Sequence, residues 1–250
     1  MLKAEQRLSK PDGYGMLFTN GTGTGKTFTG LGVVKRAVRQ GKTNILIAVP
    51  SDKIAADWIE SGVPLGLEIS KLKDTKDAGR GIVVTTYANL GANDAMASRE
   101  WDMVVADEAH KLMQAEDGTP TTYLENLRAI TLHPDGAHQR YAMLNREDID
   151  RMKALSSQID FNNRIANADD TMDEHRAALI KENAGLEKEH KALADKLAQA
   201  REEVRGYVAE RQGAARPRLV ALSATPFAYM KTVDWANGYL FDYHEGQPED

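Results

Sequence analysis

The feature that most constrains this chain is Phe18-Thr19-Asn20-Gly21-Thr22-Gly23-Thr24-Gly25-Lys26-Thr27, where an apolar run dissolves into alternating glycines and ends in Gly-Lys-Thr. Glycines at 21, 23 and 25 let the backbone take positive φ angles and turn several N–H groups toward one point, a nest suited to an anion. A helix beginning near Lys26 adds the positive end of its dipole there. The pattern is G-x-x-x-x-G-K-[ST] except at its first position, Asn20, a residue type that tolerates the left-handed region. In such a loop Gly21, Thr22, Gly23, Thr24 and Gly25 cradle phosphates, Lys26 reaches the β- and γ-phosphates, and the Thr27 hydroxyl ligates magnesium.

These roles require a strand before the loop and a helix after it. Met16, Leu17 and Phe18 within 14–19 predict the strand, and a proline-free segment from Lys26 to Gln40 predicts the helix, with Phe28, Leu31, Val34 and Ala37 on its apolar face. Asn44 to Val49 reads as a fully buried parallel strand, with Ser51 or Asp52 capping a helix through Trp58. A short strand is expected within 65–72, a clearer one over 81–87, a helix from there to Arg99, and a strand over Met103 to Ala106 that leads into Asp107-Glu108-Ala109-His110. Strands alternating with helices at this pace predict an α/β fold with a parallel sheet sandwiched by helices, whose ligands sit beyond the strands' carboxyl ends.

Beyond Lys111 the pattern changes. Residues up to 148 are turn-rich with one helix expected over Thr122 to Ile130, and residues 150–212 contain no proline and only Gly185 and Gly206. There Met172, Leu179, Leu186, Leu193, Ala200 and Tyr207 recur every seven residues, while Arg176, Asn183 and His190 leave the seam polar. This predicts a long helix or helical hairpin, either a clamp or partner dock or a solvated insertion. Arg218 to Leu222 is a last buried strand opening into Ser223-Ala224-Thr225-Pro226, and the acidic tail reads as a linker.

A net charge of −5 argues against a globally attractive field for nucleic acid, so any such contact is local. With no cysteine and six scattered histidines, thiolate chemistry is excluded and a zinc site is not expected. No apolar run approaches the ~20 residues of a membrane helix, and the first residues lack a signal peptide's apolar core. A cytoplasmic protein is expected.

Asp107 at a strand tip is suited to hold a metal's water shell, and Glu108 to accept a proton from an attacking water. The order Gly23-Thr24-Gly25-Lys26-Thr27, Val49-Pro50-Ser51, Thr85-Thr86-Tyr87, Asp107-Glu108-Ala109-His110 and Ser223-Ala224-Thr225-Pro226 resembles motifs I, Ia, Ib, II and III of the superfamily-two helicases and translocases. The resemblance covers about residues 6 to 227 apart from the helical insertion between the DEAH and Ser-Ala-Thr motifs. Its Thr-Thr-Tyr and Val-Pro-Ser…Asp-Trp patterns are similar to Swi/Snf-type and restriction-enzyme-type DNA translocases and to phage-encoded DEAD/DEAH-box proteins.

The resemblance implies a RecA-like P-loop lobe that binds ATP and Mg2+, with Lys26, Asp107 and Glu108 catalytic and Thr27 and Asp107 at the metal. His110, Ser223 and Thr225 would couple nucleotide state to nucleic-acid grip. Pro50, Ser51, Thr85, Thr86 and Tyr87 would lie along the nucleic-acid backbone, although Thr85 and Thr86 also read as β-branched strand filling. Gln6 resembles an adenine-contacting glutamine and reads equally as a surface residue. Double-stranded DNA is the favoured track and RNA the alternative.

By this reading 1–110 and 213–238 form the lobe, 111–149 an irregular insertion, 150–212 a helical arm, and 239–250 a linker. The family's second lobe carries arginine fingers, and no Gln-x-x-Gly-Arg-x-x-Arg signature follows Phe227. An absent finger costs about 10³ to 10⁵ in turnover, so weak or no hydrolysis is expected of the lobe without a second one in cis or trans. The competing reading is a nucleotide-dependent binding module that does not translocate.

Overall fold

The structure, a computed structural model, describes residues 2–19, 25–112, 119–168, 171–225 and 234–241 of the 250. The chain divides into two units, residues 1–140 with 208–250, and residues 141–207.

The first unit opens with α1 (Leu2–Leu8), β1 (Gly15–Phe18), α2 (Lys26–Arg39), β2 (Ile45–Val49) and α3 (Asp52–Gly62). It continues through β3 (Ile69–Lys71), β4 (Ile82–Thr86), α4 (Tyr87–Ala92), β5 (Met103–Asp107) and α5 (Thr122–Ile130). After α6 (Ala137–Leu144), α7 (Arg146–Ala166) and α8 (Asp173–Glu210), the last strand among the described residues is β6 (Arg218–Leu222). The six strands form one sheet in the order β1-β6-β5-β2-β4-β3, and every neighbouring pair is parallel.

Burial explains why these segments are strands. Ile45 to Val49 and Leu219 to Leu222 are fully buried on both faces, the pattern of a parallel sheet covered by helices. Against one face pack Leu31, Val34 and Ala37 of α2 and Ala55 and Trp58 of α3. Phe28, expected on the buried stripe of α2, is instead 62% exposed: the helix turns that position away from the sheet.

Register fixes the functional geometry. Phe18 lies opposite Leu222, Leu222 opposite Asp107, and Val49 opposite Thr86, so the strands end at a common level. Since β6 is inserted between β1 and β5, Ser223 emerges between the loop after β1 and the acidic pair after β5.

Three expectations change. The helix after β4 stops at Ala92 because the buried Asn93 side chain donates to the Asp74 and Asp77 carbonyls, and a 3₁₀ segment, Asp94–Ser98, replaces the expected run to Arg99. The stretch thought turn-rich up to 148 contains α6 and the start of α7. Along the seven-residue seam Met172 is 73% exposed.

In the second unit the chain reverses between α7 and α8. The polar interruption at Asn183 is buried: it donates to Asn163 and accepts from Asn162. Ser156 and His190 lie 3.0 Å apart, and Arg151 pairs with Glu189. Buried Leu155, Leu179, Leu197 and Val204 supply the apolar contacts.

Candidate functional site

The site begins at the N-terminus of α2. Gly25, its N-cap, sits at φ 80° and ψ 33°, a left-handed conformation that only glycine adopts freely. Its carbonyl accepts the amide and the hydroxyl of Thr29, and among the described residues a side chain added to Gly25 would meet nothing within 4 Å. Gly21, Thr22, Gly23 and Thr24 fall outside the described residues. Thr27 is partly buried on the first turn.

From that turn Lys26 reaches across the end of β6 to Glu108, with Nζ 3.0 Å from Oε1 and both side chains largely withdrawn from water. Two residues 82 positions apart are thus joined by the strand order. Glu108 has φ 50°, a strained conformation for a non-glycine residue and one concentrated at functional sites. Its other oxygen lies 3.4 Å from His110 Nδ1. The same nitrogen lies 3.2 Å from Ser223 Oγ. Ser223 is fully buried, its amide donates to the Phe18 carbonyl, and its hydroxyl accepts the amide of exposed Thr225. Lys26, Glu108, His110 and Ser223 therefore form one continuous polar row across β1, β6 and β5.

Asp107 is held more tightly than its neighbour. It is 5% exposed, Trp58 Nε1 donates to Oδ2 at 2.8 Å, and the Glu108 amide donates to Oδ1 at 3.0 Å. Burial pushes its carboxyl above the ordinary range, an effect opposed by the Trp58 hydrogen bond and by the charge of Lys26. The Tyr87 hydroxyl donates to the Asp107 carbonyl, and burial pushes that phenol well above its usual value. Trp58 fits because α2 carries Gly30 at the crossing: a Cβ there would collide with the indole and stand 2.9 Å from Leu222.

Trp58 and Gly30 were not among the residues expected at the site. The available signal was spacing: with Ser51 capping α3, Ala55 and Trp58 fall on one face, directed at the sheet.

The residues expected along a nucleic-acid track are not brought together as one surface. Thr85 is fully buried and its hydroxyl donates to the Leu72 carbonyl, so it is strand filling. Tyr87 is buried behind Asp107 and unavailable to a backbone phosphate. Thr86 caps α4 by accepting the Asn89 amide, and Ser51 caps α3 by accepting the Ile54 amide. Pro50 is partly exposed and Ser51 exposed. Gln6 is exposed on α1, next to Glu5, which pairs with Arg36 and Gln40 at the far end of α2. Arg36 is ten residues from Lys26, about 15 Å along a helix.

A helix N-terminus, one lysine, one hydroxyl and two adjacent carboxylates suit a magnesium–phosphate group. Among the described residues no cluster of three His, Cys, Asp or Glu stands ready to enclose a metal. Magnesium takes one or two carboxylates and completes its shell with water and phosphate oxygens.

A parallel sheet in which the glycine-loop strand and the acid-bearing strand flank a Ser-Ala-Thr strand has the order of a RecA-like P-loop lobe. Residues 3–134, just over half of the chain, match the family described as type III restriction enzyme, res subunit, and the chain belongs to that family. Its lobe is of the RecA-like, ATP-binding kind found in superfamily-two helicases. No curated protein matches it. Among solved structures the chain is similar to the Hef helicase domain of Pyrococcus furiosus, with 14% identity and a TM-score of 0.47 over 97% of this chain. It corresponds to 35% of that chain's length. Among the described residues no helix is long and apolar enough to cross a membrane.

Proposed function

We propose that this chain is the first motor lobe of a DNA translocase or helicase, which hydrolyses ATP with magnesium once a second lobe completes the site. The observation that carries the reading is the 3.0 Å contact of Lys26 with Glu108 beside Asp107. It assembles a phosphate-binding cation, a base and a metal-holding acid at one end of the sheet. Residues 1–110 and 213–238 are the lobe by this reading, 111–149 and 150–212 are insertions, and 239–250 lead toward the second lobe.

Lys26 binds the β- and γ-phosphates, and Thr27 and Asp107 hold magnesium directly or through water. Magnesium, when bound, supplies positive charge that offsets the charge developing on the phosphate oxygens. Glu108 takes the proton of the attacking water at a carboxylate oxygen. In the structure that carboxylate is tied to Lys26 and His110, so Lys26 must turn to phosphate before Glu108 is available as a base. His110, Ser223 and Thr225 then carry the change in Glu108 to the end of β6, and Pro50, Ser51 and Thr86 face the track. Double-stranded DNA is the preferred track, read through phosphate and shape rather than bases.

ATP turnover of the chain joined to its second lobe, with duplex DNA or RNA added, tests the reading. Turnover should rise with DNA more than RNA and vanish in Lys26→Ala and Glu108→Gln, the second of which still binds ATP. Hydrolysis surviving in both variants refutes it. A binding module without translocation is favoured by one observation, the exposed Phe161, Met172 and Ile180 of the second unit. Deleting 150–212 would then abolish partner binding and spare turnover.

A further inference from the structure

The amino-terminal end of the sheet carries a cavity apart from the polar row at Lys26 and Glu108. It measures about 290 Å³ and is walled by Ala4 and Leu8 of α1, Val33 and Ala37 of α2, and Met103 at the start of β5. Its polar lining is Lys42, Arg36, Arg218, Glu5, Ser9 and Gln40. It lies at the C-terminal part of α2, whereas Lys26 occupies the first turn of that helix.

The charges around this cavity do not balance. Glu5 is the one acid in the lining, and it is already engaged by Arg36 at 2.8 Å and Gln40 at 3.2 Å. Arg218, 2% exposed, donates to the carbonyls of Leu8, Lys10 and Gly213, which orient its guanidinium without neutralising it. The Lys42 ammonium makes no hydrogen bond or ion pair among the described residues. Burial and the neighbouring Arg218 push its pKa down, against the smaller opposing pull of Asp102, a carboxylate that also accepts the amides of Thr43 and Asn44. Two cations thus border an apolar hollow in a protein of net charge −5. Gathering like charges at a partly desolvated site is costly unless an anion joins them.

We propose that this cavity binds a small organic anion, with an apolar body against Leu8, Val33, Ala37 and Met103 and an acid group on Lys42 and Arg218. The volume is at the lower end of ligand pockets, about 300–1,000 Å³, which limits the occupant to a short chain or single ring. Apolar walls with few fixed polar groups are the usual makeup of such sites. The reading is independent of the nucleotide site, since none of its residues touches Lys26, Asp107 or Glu108.

Calorimetric titration of the full chain with octanoate, 1-octanol and inorganic phosphate tests it. Octanoate should bind one to one, 1-octanol at least tenfold more weakly, and phosphate alone more weakly than octanoate. Lys42→Met, at a partly exposed position that preserves the apolar stem, should weaken octanoate at least fivefold and leave 1-octanol unchanged. Lys42→Arg should restore most of the loss. Equal binding of octanoate and 1-octanol, an unaffected Lys42→Met variant, phosphate binding as tightly as octanoate, or no binding of any probe would each overturn the proposal.

Discussion

At its carboxyl end the sheet brings opposite charges together, whereas at its amino end it gathers like ones. Beyond β1, β6 and β5, Lys26 meets Glu108 as an opposite charge, and the other oxygen of Glu108 approaches the His110 ring. Where the strands begin, Lys42, Arg216 and Arg218 congregate, relieved by carbonyls and by rings: Arg216 stacks 4.3 Å over Tyr14. His133 stays neutral beside them, its pKa lowered to about 4 by burial and by Arg216. The contrast teaches that paired charge is not the general style of this fold. It marks the end at which a polyanion and a metal would exchange partners with the side chains already there.

The sharpest break of the comparison is Glu108→Gln, which keeps shape and removes the anion. Turnover of the two-lobed protein should fall about 10² to 10⁴-fold, with ATP affinity retained in equilibrium binding. A second test removes a support rather than a charge. Trp58→Phe leaves Asp107 Oδ2 buried without its donor and should cost about 1–3 kcal/mol in urea unfolding. Gly30→Ala, which forces the indole aside, should cost a similar amount, about 1–3 kcal/mol, through overpacking. If Trp58→Phe is as stable as the parent, the indole contributes packing alone.

The amino end offers a pH test. His133 Nδ1 accepts the Asp135 amide and Nε2 faces the Asn237 carbonyl, so protonation of the ring breaks the first of these bonds. Its pKa is about 4 folded and near 6.5 unfolded, so the unfolded chain binds more protons between those values. The contribution is therefore complete above about pH 6.5 and is lost as pH falls toward 4. Urea midpoints followed over this window should decline, and His133→Asn should flatten that decline. The smallest expected effect is Ser51→Ala, which removes the cap of α3 for about 1 kcal/mol and leaves the row at Glu108 untouched.

Much of the carboxyl end was legible because its signals are local. Gly25-Lys26 located the start of α2, apolar runs located β2, β5 and β6, and Asp107-Glu108 fell at the tip of β5. Thr85 and Tyr87 were misplaced for a physical reason: β-branched and aromatic residues at a strand end serve packing and surface contact alike, and only the sheet neighbours decide. Leu72 and Asp107 are those neighbours. Trp58 escaped notice because its importance comes from a helix crossing, where Gly30 clears space. Asn183 read as a flaw in a seam, yet it is satisfied by two asparagines across the hairpin. At the amino end nothing in the linear pattern announces that Lys42 and Arg218, 176 positions apart by their numbering, would share a cavity.

The placement of β6 has a consequence for synthesis. β1, which delivers the glycine loop, has one neighbour in the sheet, and that neighbour is encoded about 200 residues later. On a ribosome adding about 5–20 residues per second, β1 waits about 10 to 40 s for its mate while the hairpin is being made. A nascent chain can therefore dock β2, β4 and β5 first, and the polar row from Lys26 through Glu108 to Ser223 closes only when β6 slides in beside β1.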